Sequence, residues 1–281
     1  MRPRRSRRSA EQRPEPTPAR RSSRTALAIA AIALLAWAGA KAVDARIWAT
    51  SDEPLHVLAA RELRDGPGVV SNLEHPVGMK ILAAAALAER PHGHALEAVR
   101  EARRPFRIVF AALVLTVGLW VLRRAGPALG IAAALLVVVD PSLRAHGTIV
   151  QSDVPLTFFL VLSAALLDAT ALPARAGAPP RRGMLLAASG LAYGLAIATK
   201  YSAAAFAPLF LAAAFFRLRA WRRDGAMKRT LAIAALALMT ALVAQELALW
   251  STGRAAFRDA ARAELSEWGV RDGLPVLLSV M

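Results

Sequence analysis

The sequence predicts an all-α protein, a polytopic bundle of transmembrane helices with short amphipathic helices on one face. Three observations lead there. Of 281 residues, 56% are hydrophobic, and the mean hydropathy is positive. The apolar residues fall in recurring runs almost free of charge, at 25–43, 106–122, 125–139, 154–172, 184–199, 201–216 and 231–250. In lipid a backbone must satisfy its own polar groups, so runs of this length fold as helices. Arginine, finally, gathers between alternate runs, the pattern of loops retained in the cytoplasm.

Net charge is +16, but its placement argues against a nucleic-acid partner. Residues 1–24 hold nine arginines against Glu11 and Glu15, in a Pro- and Ser-rich context. Such a segment predicts a disordered basic tail that anchors the N-terminus in the cytoplasm and touches anionic lipid. With no cysteine, disulfides, iron–sulfur clusters and thiolate zinc sites are excluded.

From residue 25 to 281 the chain reads as one transmembrane domain. Residues 25–43 form the first span. Ala38-Gly39-Ala40 resembles a signal-cleavage site, yet the apolar stretch exceeds a usual signal core, so a retained helix is expected. Residues 44–104 are the first outer loop. There Thr50 and Glu53 have capping-box spacing, and Leu55, Leu58, Ala59 and Leu63 make an apolar stripe for a helix lying on the membrane. His56, Glu62, Arg64 and Asp65 flank that stripe, and Gly66-Pro67-Gly68 ends the helix. A second helix at 76–89 is too short to cross.

The run at 106–122 returns inward to Arg123-Arg124. The run at 125–139 goes out again and covers only about 22 Å of a roughly 30 Å core, so it needs neighbours or local thinning. Asp140-Pro141 stops it, and 142–153 is expected as an outer loop. Runs 154–172, 184–199 and 201–216 then alternate, with Lys200 at the outer turn, and 231–250 exits. A surface helix over 257–268 and the start of an eighth span at 274–281 follow. Seven crossings from an inside N-terminus put Asp52, Glu53, His56, Glu74, His75, Lys80, Arg144, His146, Asp153 and Lys200 on the outer side. A crossing at 76–89 would invert everything after it.

Carboxylates at a water–lipid boundary can take a proton from an attacking hydroxyl, and nearby cations can stabilise a departing phosphate. That combination suits group transfer from a lipid-linked donor. Each residue also has a plain structural role: Glu53 as a cap, Asp52 and Asp153 at helix N-termini, His56 as a solvated histidine (though its spacing allows a pair with Asp52), Lys200 reaching for headgroups. No Gly-rich phosphate loop, H-E-x-x-H or G-x-S-x-G pattern occurs.

The order of the motifs says more than any one of them. D-E-P-x-H at 52–56, E-H-P-x-x-x-K at 74–80, P-x-x-x-A-H-G at 141–147 ahead of S-D-V-P-L at 152–156, and G-L-A-x-x-T-K-Y-S at 194–202 resemble the lipid-carrier-dependent glycosyltransferases related to protein O-mannosyltransferases and bacterial aminoarabinose transferases. The resemblance runs from about residue 25 to 250. It implies a GT-C fold in the inner membrane of the cell envelope, an extracytoplasmic active site, a polyprenyl-phosphate sugar donor and inversion at the sugar. The acceptor, whether glycan, lipid or protein, is not specified.

By the same resemblance Asp52 is the catalytic carboxylate and Asp153 the second acid. Lys200, His75, Lys80 and Arg144 face the donor phosphate, while Glu53, His56, Glu74 and His146 support the site. A divalent metal on Asp52, His56 and Asp153 is left open. Val77 replaces the second proline of the family's H-P-P-x-x-K element. The chain also stops near half the family's usual length, as a fragment, a split gene or a partner-dependent half would. A transporter or flippase, the alternative class, keeps ionisable groups at mid-membrane, whereas these spans are nearly bare at their centres. A non-catalytic scaffold is the third reading.

Overall fold

The structure is a computed structural model that describes residues 18–42, 52–65, 76–87, 95–171 and 182–220. Among the described residues every regular element is helical. The chain is an all-α membrane protein. The expected span at 231–250, the surface helix at 257–268, the segment 274–281, and Thr50, Glu74 and His75 lie outside the described residues.

Helix α1 spans Pro18–Ala42. It starts earlier than the first apolar run, so residues 18–24 are helical and the tail expectation is corrected there. Proline suits a first helical position because its missing N–H has no intrahelical partner anyway. Helices α2 (Glu53–Asp65), α3 (Val77–Ala84) and α4 (Ala95–Ala102) occupy the expected outer loop. The second of these ends earlier than residue 89, and α4 was not foreseen. Then come α5 (Arg104–Ala125), α6 (Pro127–Val139) and α7 (Pro141–Thr148). The segment expected as an outer loop after Asp140 is therefore largely helix. Asp140 caps it, its carboxylate accepting from the Leu143 amide at 2.7 Å. Helices α8 (Asp153–Ala169) and α9 (Arg182–Thr199), a 3-10 turn (Tyr201–Phe206) and α10 (Ala207–Ala220) complete the described chain.

Two helices are long and apolar enough to cross a membrane, Ser22–Ala42 and Glu97–Ala125. A third is counted if α6 and α7, bent by 61° at Asp140, form one broken span. The expected runs at 154–172, 184–199 and 201–216 appear as α8, α9 and the turn with α10, each shorter than a full-length span.

Helix directions follow from the contacts. Gly118 of α5 lies against Ile32 of α1 and Ala134 of α6, so close that an added Cβ would sit 2.7 Å from the Ile32 side chain. Gly39 of α1 meets Phe110 of α5. As the α1 number rises the α5 number falls, so the two are antiparallel; Gly130 against Leu122 gives α6 the same relation to α5. The chain reverses between α5 and α6 at Gly126, whose φ of 93° is costly for a side chain with a Cβ. Between α8 and α9, Ser163 and Ser189 exchange hydroxyl-to-carbonyl hydrogen bonds of 2.9 and 2.7 Å, and Asp153 meets Lys200, which makes that pair antiparallel too.

Two polar ends result. One carries Glu53, Arg103, Val150, Asp153 and Lys200; the other carries Trp120, Arg123, Arg124 and Asp168. The short α3 does not cross. It caps the first end, with Gly78 pressed so closely on the Ala198 carbonyl that a Cβ would stand 2.5 Å from its oxygen. Helices α1 and α6 thus run antiparallel to α5, and α9 antiparallel to α8.

Candidate active site

Asp153 opens α8, where proline two positions on and a free first turn favour a helix start. Lys200 ends α9, its backbone extended at φ −155° and its amide bonded back to the Ala196 carbonyl. Because the two helices are antiparallel, the ends meet, and the Lys200 ammonium donates to Asp153 Oδ1 at 2.6 Å. From α7, His146 Nδ1 lies 3.5 Å from Asp153 Oδ2 and 2.6 Å from Gln151 Oε1. All three side chains are accessible, with Asp153 and Lys200 33% exposed and His146 36%. The cluster is a charge-balanced pair with an imidazole at its edge, open on one side.

The α2 N-terminus is tied to the linker that precedes Asp153. Glu53 is 1% exposed, and its carboxylate accepts two hydrogen bonds from Arg103, at 2.8 and 2.6 Å. Oε1 also accepts the Val150 amide at 2.8 Å. Glu53 therefore spends its charge on a tertiary tie, a role the local-cap reading did not include. The tie joins α2 to the linker 149–152 that runs directly into Asp153. Asp52, the residue before Glu53, is exposed at the head of α2, and its carbonyl accepts from the Leu55 and His56 amides.

Other expected site residues sit differently. His56 is buried, not solvated, and the buried face of α2 is Glu53, His56, Val57, Ala59 and Ala60. Leu55 and Leu58 of the expected membrane-facing stripe are exposed, whereas Ala59 of that stripe is buried. The reason is that Glu53 sets the rotation of α2: once its carboxylate is turned inward to Arg103, positions three, four and seven along follow it. Lys80 is 2% exposed within the cap and does not present its ammonium to solvent. Arg144 is exposed on α7. Among the described residues no group of three or more His, Cys, Asp or Glu is arranged to hold a metal, so Asp52, His56 and Asp153 do not form a metal trio.

Sequence reasoning missed Gln151 and Arg103. Gln151 stands between two recognised motifs and carries no charge to mark it. Arg103 had a signal: it lies in a row of basic residues just before an apolar run, and an arginine drawn into the bundle needs a carboxylate. Nothing in the spacing named Glu53 as that carboxylate, fifty positions away.

One turn along α8 from the ion pair, Thr157 donates to the Asp153 carbonyl at 2.8 Å and helps line an apolar cavity of about 410 Å³. Its wall continues through Val161, Tyr193, Phe206 and Phe210 to Trp120. Tyr193 and Phe210 stack with centroids 4.6 Å apart, and the Tyr193 hydroxyl is bonded to the Ala203 carbonyl at 2.8 Å. The cavity thus extends between Thr157 and Trp120, through the apolar part of the bundle.

Compared with known proteins, the chain matches over residues 97–259 the family described as dolichyl-phosphate-mannose-protein mannosyltransferase. No curated protein and no solved structure matches the chain. The matched stretch contains Arg103, His146, Asp153 and Lys200, while Asp52, Glu53 and Lys80 precede it.

Proposed function

Because the chain belongs to the dolichyl-phosphate-mannose-protein mannosyltransferase family, a group of membrane glycosyltransferases, we propose that it moves a sugar from a polyprenyl-phosphate donor to an acceptor hydroxyl, with inversion. The site is the end of the bundle that carries Asp153 and Lys200, facing the extracytoplasmic side of the inner membrane with the N-terminus in the cytoplasm. The observation that carries this reading is the 2.6 Å Lys200–Asp153 pair, partly open and one helical turn from Thr157, which lines an apolar cavity.

In the proposed reaction the first isoprene units of the donor lie in that cavity and its phosphate meets Lys200. An ammonium has three donor hydrogens, so Lys200 can keep Asp153 and still bind a phosphate oxygen. Asp153 fixes the ammonium, and Arg144 is placed on the adjoining α7 for a second contact. The acceptor oxygen attacks the anomeric carbon from the face opposite the phosphate. Asp52 takes the acceptor proton, the new C–O bond forms, and the bond from carbon to phosphate oxygen breaks. The polyprenyl phosphate leaves with one more negative charge, which Lys200 stabilises. A single displacement of this kind inverts the carbon. His75 completes the donor side in this proposal and Glu74 supports the site; buried Lys80 contributes from within the cap.

The test is sugar transfer from polyprenyl-phosphate mannose by the purified chain in liposomes. Asp52→Asn should insert normally and lose transfer by about 100-fold or more, the usual weight of a general base. Full transfer by that variant removes Asp52 from the mechanism, and inversion at the anomeric carbon is read by NMR of the glycoside.

A further inference from the structure

A buried ion pair is weak support for stability, because desolvating two charges offsets most of what their attraction returns. Replacement of such a pair by apolar groups is often neutral. The Glu53–Arg103 pair is of this kind, with both side chains 2% exposed or less. Its geometry, however, is directional: Arg103 is bidentate, and Oε1 takes a third hydrogen bond from the Val150 amide.

Three elements meet in that one carboxylate. Arg103 stands at the joint of α4 and α5, its own amide bonded to the Val99 carbonyl. Val150 is 1% exposed in the linker that leads to Asp153 three residues later. Glu53 is the first residue of α2 and follows Asp52 directly. We propose that Glu53 and Arg103 are positioning residues, which hold the α2 N-terminus, with Asp52, against the linker that delivers Asp153. Neither touches substrate. The proposal rests on the transferase reading for its kinetic consequence, but its geometric content stands apart from it.

The chain has no cysteine, so two can be placed freely. Leu55→Cys on α2 and Ser142→Cys on α7, both exposed positions, take spin labels for a distance measurement in liposomes. The parent should give one narrow distance. In the background Glu53→Gln with Arg103→Met, which removes both charges together, the distribution should broaden or shift. Arg103→Lys, which keeps the charge and loses the fork, should lie between the two and serves alone if the double variant does not insert. An unchanged narrow distance in these backgrounds overturns the proposal.

Turnover is read on the same samples. Loss of placement should lower turnover about 10–100-fold while the KM for polyprenyl-phosphate mannose stays near the parental value, since Lys200 and Asp153 are untouched. Arg103→Lys should recover part of the turnover. A broadened distance with parental turnover also overturns the proposal, as does a KM that rises in step with the turnover loss. If the parent itself transfers no sugar, the transferase reading fails, and the distance measurement still decides whether the tie positions α2.

Discussion

The two polar ends of the bundle use the same chemistry differently. At one end Asp168 accepts from Trp120 at 2.9 Å, from Arg123 at 3.1 Å and from Arg124 twice, all from the last turns of α5. Its side chain is 17% exposed, and the donors around it come from one helix. At the other end Asp153 meets one lysine and one histidine from two different elements, and each is about one-third exposed. The first carboxylate is surrounded and serves as a staple between α5 and α8. The second is balanced by a single strong partner and still reachable. A carboxylate–cation contact thus marks a site only where its remaining valence is open to a ligand.

The sharpest way to break this contrast is to neutralise one cation at each end. Lys200→Gln should lower sugar transfer about 100–1,000-fold, the scale for losing a group that stabilises a developing oxyanion. Arg124→Gln should leave transfer near parental, because Arg123 and Trp120 still hold Asp168. Comparable losses in both variants would erase the distinction.

Between the ends lies packing. Gly118→Leu forces a side chain between α5, α1 and α6 and should cost about 1–3 kcal/mol, read as a lower melting temperature in detergent. Asp168→Asn should cost less, about 1–2 kcal/mol for its remaining hydrogen bonds, with transfer retained. Ser189→Ala removes one interhelical hydroxyl pair and should cost about 0.6–1.7 kcal/mol.

The smallest effect belongs to the edge of the cap. Arg64 donates to Asp65 at 2.6 and 2.7 Å and holds its carboxyl below the ordinary carboxylate value. A lowered carboxyl stabilises above its unfolded pKa and loses that contribution as pH falls through its folded one. The pair is solvent-exposed and screened, so Asp65→Asn should leave the melting temperature unchanged from neutral pH down to about 5.

Much of this was legible in the sequence. Apolar runs mark the helices because a backbone in lipid must satisfy its own polar groups. The run at 76–89 forms the short α3, which Gly78 packs onto the end of α9. The Asp153–Lys200 meeting also followed from motif order, since antiparallel neighbours bring such ends together. The tertiary ties escaped. The rotation of α2 depends on Arg103, which no local pattern ties to Glu53, and so the burial of His56 was not foreseen. The α7 helix escaped because Asp140-Pro141, a stop for α6, equally supplies the cap and first residue of α7.

The central claim is that Asp153 and Lys200 act as one unit in sugar transfer. A double-mutant cycle with Asp153→Asn and Lys200→Gln, measured as transfer rate in liposomes, tests it most directly. Each single variant should lose about 100-fold, and the double variant no more than the worse of the two. Losses that multiply in the double variant would contradict the account, since independent residues behave that way.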